Sequence, residues 1–323
     1  MIKTLEIKNF KSIKQLKLDC KRVNVFIGEP NTGKSNILES LGLLSFGFYN
    51  RYGYFLKSFV RYERVSNLFY DEELDYKVEI DGDSIAFRVG FKDGGFTGEI
   101  RDSIKNVQLT QLNGDMKDLR INSSEALSQF KYYKFAVKES FDRPESDYLL
   151  PPSGDNLCSL LLARRDLRSI SGKIFSQTGF KLGLRPQERK LELRKEIDDV
   201  TISHPYSLTS ETLQRLVFYI AAIMSNKDSV LVFEEPEAHT FPYYTKYLAE
   251  VIALDENKNQ YFISTHNPYF LEPILEKTPK DEIGIFITYF KDYQTKVKQL
   301  SQRELEKIME IDVFLNLDRF VKA

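Results

Sequence analysis

Gly28-Glu29-Pro30-Asn31-Thr32-Gly33-Lys34-Ser35 is the stretch that decides the fold. It matches the phosphate-loop pattern G-x-x-x-x-G-K-[ST] at every fixed position, and each of those positions answers a physical demand. The glycines let successive backbone N–H groups turn inward around phosphate oxygens, and the helix that follows adds its positive end. Lys34 offers a compact charge to the terminal phosphates, while the Ser35 hydroxyl suits a magnesium ion. The residues between, Glu29 to Thr32, and Asn36 just after, count with them as nucleotide-binding positions. An apolar run at 23–27 reads as a buried strand entering the loop, and an apolar-periodic stretch from 35 to about 44 as the helix leaving it.

Working outward, residues 2–7 and 13–18 are strand-like, and 76–99 alternates apolar and polar residues around Asp81-Gly82 and Asp93-Gly94-Gly95, the pattern of antiparallel hairpins. The stretch 157–197 is rich in Arg, Lys and Glu and reads as helical. A helix at 210–224 then precedes a buried strand (229–233), a helix (242–252), a second buried strand (260–264) and a short helix. Runs at 283–289 and 295–300 form a closing hairpin. Apolar strands alternating with helices imply an α/β fold with a mostly parallel sheet covered on both faces. The expected organisation is one domain over 1–323. Within it, about 50–145 forms an antiparallel β-rich lobe or insertion and about 157–205 a helical lobe.

The second chemical signal is Glu234-Glu235-Pro236-Glu237-Ala238-His239, directly after the strand Ser229-Val-Leu-Val-Phe233. A buried strand that delivers two carboxylates at its end suits the far side of a phosphate site. Glu234 would hold the hydration shell of magnesium, and Glu235 would orient or deprotonate the attacking water. An exposed acidic turn after a core strand is the plain alternative. One strand later comes Thr265-His266-Asn267-Pro268, where His266 is placed to hydrogen-bond a γ-phosphate. A lone histidine is more often a structural donor, and only its place after the acidic pair raises it.

Composition limits the rest. The 323 residues carry 46 Lys and Arg against 47 Asp and Glu, a formal charge of -1, so a strongly basic nucleic-acid surface is not indicated, although a local basic groove stays open. Cys20 and Cys158 are far apart and read as small apolar residues in a reducing compartment. No run approaches the roughly 18 apolar residues of a spanning helix, and the charged, alternating N-terminus lacks a signal-peptide core. A cytoplasmic protein without a membrane segment is expected.

Together NFKSI (9–13), FIGEPNTGKSNILESL (26–41), SGDNL (153–157), VLVFEEPEAH (230–239), ISTHNP (263–268) and IDVFLNLDRF (311–320) resemble the soluble ABC-type P-loop ATPases of the SMC, RecF and OLD branch. These motifs frame most of the chain and match least at about 50–145. The resemblance implies ATP and Mg2+ as cofactors and two domains closing head to tail on two ATP molecules, each completing the other's site with a signature motif, usually LSGGQ followed by Gln-Arg. The candidate signature is Thr209-Ser210-Glu211-Thr212-Leu213-Gln214-Arg215, with Ser210 as the contact made in trans, but both glycines are replaced. A plain N-cap at Thr209 or Ser210 is the alternative reading. Lys11 matches a position beside the nucleotide in relatives and reads equally as a solvated strand charge. A chain without a long helical arm and without the appended nuclease domain of many OLD proteins is expected. Two functions stay open: an ATPase working through an ATP-dependent homodimer, in DNA repair, genome maintenance or defence, or an ATP-binding switch module serving a partner protein.

Overall fold

Val23, Val25 and Ile27 face one hydrophobic core, while Phe26, between them, faces another. This two-residue period places the strand in the middle of a layered molecule, buried on both sides. A computed structural model describes residues 1–115, 118–143 and 146–321, so the parts of the expected organisation that touch 116, 117, 144, 145, 322 and 323 lie outside the described residues.

In chain order the strands and helices are β1 (Thr4–Phe10), β2 (Ile13–Asp19), β3 (Val23–Gly28), α1 (Lys34–Tyr49), β4 (Val78–Gly82), β5 (Ile85–Lys92), β6 (Gly95–Asp102), β7 (Val107–Gly114), β8 (Leu119–Ile121), β9 (Phe130–Tyr133), α2 (Leu157–Ala163), α3 (Arg165–Ser176), β10 (Lys181–Arg185), β11 (Lys190–Ile197), β12 (Val200–Pro205), α4 (Glu211–Ser225), β13 (Val230–Glu234), α5 (Pro242–Ala253), β14 (Gln260–Ser264), α6 (Pro268–Lys277), β15 (Ile283–Lys291), β16 (Gln294–Gln299), α7 (Gln302–Glu310) and α8 (Leu317–Val321). The central sheet has the order β16-β15-β3-β14-β13-β9. Its strands are parallel except for β16, which returns antiparallel beside β15.

One face of this sheet packs Leu231, Phe233, Tyr261, Ile263 and Ile285 against α4, α5 and α6. The other packs Val232, Phe262 and Phe286 against α1 and a seven-stranded antiparallel sheet, order β2-β1-β4-β5-β6-β7-β8. Helix α1 is enclosed between two sheets and runs to Tyr49, further than its apolar period suggests, with nearly every residue from Ile37 onward buried. A helix that is apolar all round belongs inside.

Two expectations are corrected here. The antiparallel lobe does not coincide with about 50–145: β1 and β2 belong to its sheet, and β9 belongs to the parallel one. β9 is four residues long and fully buried, and its parallel pairing with β13 decides its place. The expected helical lobe at about 157–205 is helical only to Ser176, after which β10, β11 and β12 form a three-stranded antiparallel sheet. Leu182 and Leu184 face Leu193 and Leu191 across the first ladder, a period of two that the Lys/Arg/Glu composition masks. Gly179 and the pair Asp198-Asp199 take positive φ where the chain turns into and between these strands. Among the described residues no helix is long and apolar enough to cross a membrane.

Candidate nucleotide site

The phosphate loop is shaped by what lies behind it. Gly28 has φ 152°, and a Cβ there would stand 2.3 Å from the Thr288 carbonyl oxygen on β15. Gly33 has φ 96°, and its Cβ would meet the Thr295 side chain at 2.0 Å. Both positions therefore demand glycine for space as well as for backbone angle. Thr32 fastens the loop through its hydroxyl, 2.8 Å from the Glu29 carbonyl and 2.7 Å from Thr288 Oγ1. Lys34 Nζ lies inside the curl, donating to the carbonyls of Gly28 (2.9 Å) and Glu29 (2.8 Å). Burial pushes its pKa down to about 8, against the pull of Glu235 and Glu234. Gly33 caps α1 without a side-chain hydrogen bond, so the positive end of the helix is left to the loop's contents. Asn36 serves as a brace, donating to Ser12 Oγ at 2.6 Å, and Ser12 Oγ stands 2.7 Å from Thr295 Oγ1.

Across from the loop, Glu234 ends β13. Its carboxylate accepts from Tyr132 Oη at 3.1 Å and faces Arg61 Nη2 at 3.4 Å. Arg61 also bonds Glu39 Oε1 at 2.6 Å, and the buried Glu39, 1% exposed, pairs with Lys11. Lys11 is thus neither a solvated strand charge nor a wall of the cleft. It is largely buried behind Arg61, donating to the Arg61 carbonyl at 2.6 Å. Burial lowers its pKa while Glu39 raises it.

Glu235 is the first residue past the strand and takes φ 43°, a left-handed conformation that is costly for a non-glycine residue and concentrated at functional positions. Its amide donates to the Ser264 carbonyl at 3.1 Å, and its carboxylate stands 3.4 Å from His266 Nε2. Burial first, then the charge of Lys34, lowers the pKa of His266 below its usual 6.5, with Glu235 opposing. Burial thereby favours the neutral imidazole, in which one ring nitrogen donates and the other accepts.

A cleft of about 330 Å³ gathers these groups. Pro30, Asn31, Thr32, Gly33, Lys34, Ser35 and Asn36 form one wall, and Ser12, Arg61, Glu235 and His266 complete it. Gly28 and Glu29 take part through their carbonyls and Glu234 through its ion pair, while Lys11 and Ser210 stand outside. Among the described residues no cluster of three or more His, Cys, Asp or Glu could cage a metal by itself. The Ser35 hydroxyl and the Glu234 carboxylate beside the loop are a donor pair that fits magnesium, which keeps several waters and takes ligands from phosphate oxygens together with one or two protein groups.

Ser210 lies exposed at the N-cap position of α4, but its side chain makes no cap hydrogen bond. Thr209 Oγ1 turns back to the Tyr206 carbonyl at 2.7 Å. Neither residue is therefore the side-chain cap considered from sequence. Thr212, in place of a signature glycine, donates through its hydroxyl to the His239 carbonyl at 2.8 Å. Helix α4 is thereby tied to the turn that carries Glu235. Arg61, Glu39 and Glu237 escaped the sequence reading. Arg61 sits in an irregular stretch without a motif, whereas Glu237 is part of the acidic run itself.

The family described as "AAA domain, putative AbiEii toxin, Type IV TA system" matches residues 23–272. A search of curated proteins finds no match. Solved structures do match. An SMC head bound to the C-winged-helix domain of ScpA is 15% identical, with 94% of this chain and 99% of that one covered and a TM-score of 0.55. An Smc head with an extended coiled coil, bound to the C-terminal domain of ScpA derived from Pyrococcus furiosus, is 12% identical, with 96% and 98% covered and a TM-score of 0.52. The α/β architecture is thus that of SMC-type ABC ATPase heads. With the family match spanning most of the chain and a complete phosphate loop in that fold, the chain belongs to this AAA family of P-loop ATPases.

Proposed function

We propose that the chain binds Mg-ATP in the cleft and hydrolyses it. The observation that carries this reading is the convergence of Lys34, Glu235 and His266 on one cleft beside an uncapped helix N-terminus. Lys34 exchanges its two loop carbonyls for phosphate oxygens, and the amides of the loop and of the first turn of α1 bind the rest. Glu235 takes the proton of the attacking water, and neutral His266 hydrogen-bonds the γ-phosphate. Magnesium, held by Ser35 and through its water shell by Glu234, would neutralise charge between the terminal phosphates. Arg61 lines the same cleft and adds positive charge beside Glu234.

Hydrolysis is coupled, in this proposal, to a homodimer in which Ser210 of each copy meets the other's γ-phosphate. Cytoplasmic location, work in genome maintenance or defence, and a toxin–antitoxin context suggested by the family's description belong to the same proposal. A second reading is a switch module that holds ATP with little turnover for a partner protein. Glu211 and Thr212 in place of signature glycines favour it, because a side chain at Thr212 keeps a phosphate from approaching the backbone closely. Light scattering of Glu235→Gln with and without Mg-ATP separates the two. A monomer-to-dimer shift supports the sandwich, and an unchanged mass with ATP bound supports the switch.

A further inference from the structure

One buried carboxyl has no part in the reading above. Glu237 lies two residues past Glu235, is 4% exposed, and has an Oε2 with no hydrogen-bond partner among the described residues. Its Oε1 accepts a hydrogen bond from the Thr265 hydroxyl. That hydroxyl accepts in turn from the Asn267 amide at 3.0 Å, so its single proton is committed to Glu237. Asn267 caps α6 through the Tyr269 amide at 2.9 Å, and the Thr265 amide is bonded to the Phe26 carbonyl of β3 at 3.1 Å. His266 sits between these two anchored residues. On the other side, Ala238 N–H bonds the Glu235 carbonyl and Thr240 N–H the Glu237 carbonyl, both at 3.0 Å, which makes the acidic turn compact. A carboxyl at so buried a place costs more than an apolar side chain of the same size, which argues that its hydrogen bond matters.

We propose that Glu237 is a positioning residue: through Thr265 it sets the spacing between Glu235 and His266 across the nucleotide cleft. This rests on the proposed ATPase reading for its effect on turnover, but not for its effect on His266. Burial pushes the Glu237 carboxyl up to about 7, opposed by Thr265 and by the amides of Glu237 and His266, with the charge of Glu235 adding to the rise. Tyr219 of α4 is close enough to feel its charge. The folded carboxyl is therefore protonated over a range where the unfolded one, near 4.5, is not. Its contribution to stability is present below 4.5 and declines as pH rises to about 7.

The test uses the full chain with Glu237→Ala and Glu237→Gln. Glutamine keeps the oxygen that Thr265 needs, whereas alanine does not. The chain has three histidines, so the His266 ring can be assigned by its absence in His266→Asn and titrated by NMR. The expected result is a His266 titration that moves up toward 6.5 in Glu237→Ala and stays in place in Glu237→Gln. Alanine should also lower ATP turnover by on the order of tenfold or more at unchanged ATP affinity, since misplacing a catalytic group by about 1 Å can cost ~10²-fold. The glutamine variant, lacking the titration, should melt above the wild type at pH 8. A folded Glu237→Ala protein with unmoved His266 and wild-type turnover overturns the proposal. If the wild type hydrolyses nothing, the ATPase reading falls and the His266 titration alone decides. If Glu237→Ala does not fold, Thr265→Val removes the same hydrogen bond and is judged by the same measurements.

Discussion

Two helices begin at the functional end of this molecule, and they begin differently. Helix α1 starts after Gly33, where a Cβ would collide with Thr295 and where the loop curls around Lys34. Helix α4 starts after an exposed Ser210, with Glu211 and Thr212 in the positions of glycines, and Thr212 reaches back to the His239 carbonyl. The first terminus is built from close approaches within the chain and is complete without a partner. The second is solvent-facing and bonded to the chain's own acidic turn. In the proposed function, this contrast separates nucleotide binding at α1 from coupling at α4.

The largest effect should come from the proposed chemistry of the cleft. Glu235→Gln is expected to slow hydrolysis by about 10²–10⁴-fold, the range of general-base contributions, with ATP affinity retained, as read by phosphate release and by titration with a fluorescent ATP analogue. Normal hydrolysis by this variant would remove Glu235 as the base. Next, Lys34→Ala should weaken ATP binding by roughly 100-fold, the upper end for a charged hydrogen bond of about 1.5–3 kcal/mol. Unchanged affinity would break the contrast at the α1 side.

The pH dependence of affinity should be smaller and is fixed in sign. Bound phosphate favours charged Lys34, so binding is at full strength below the free-state pKa of about 8 and weakens as pH rises through it. Isothermal titration between pH 7 and 9 checks this, and a rising affinity would contradict the placement of Lys34. Smallest of all, Thr212→Val should lower stability by about 0.5–1.5 kcal/mol, the worth of one hydrogen bond, and leave ATP affinity unchanged. A change in ATP affinity in that variant would mean that α4 contributes to the site of its own chain.

Much of the site was legible from sequence because its demands are local. Gly28, Gly33, Lys34 and Ser35 answer a backbone shape within eight residues, and Glu234, Glu235 and His266 each follow an apolar strand by at most two positions. The cap that Thr209 or Ser210 offers as an alternative reading is absent, because capping depends on a side-chain rotamer that residue type does not reveal. Arg61 and Glu39 stayed hidden, since their ion pair joins a helix to an irregular loop 22 residues away. The stretch of β10 to β12 reads as helical because charged residues that favour helices in isolation fill the solvent faces of a small sheet whose leucines alternate.

By itself, then, the sequence determined the phosphate loop, the acidic strand end, the histidine after the next strand and the α/β alternation around them, because backbone angle, burial and charge act there over a few consecutive residues. Tertiary structure alone decided which sheet takes β1, β2 and β9, that Lys11 pairs with a buried glutamate, that Thr212 is tied to the acidic turn and that Glu237 reaches Thr265. Those contacts join residues distant in the chain, and only packing brings them within hydrogen-bond range.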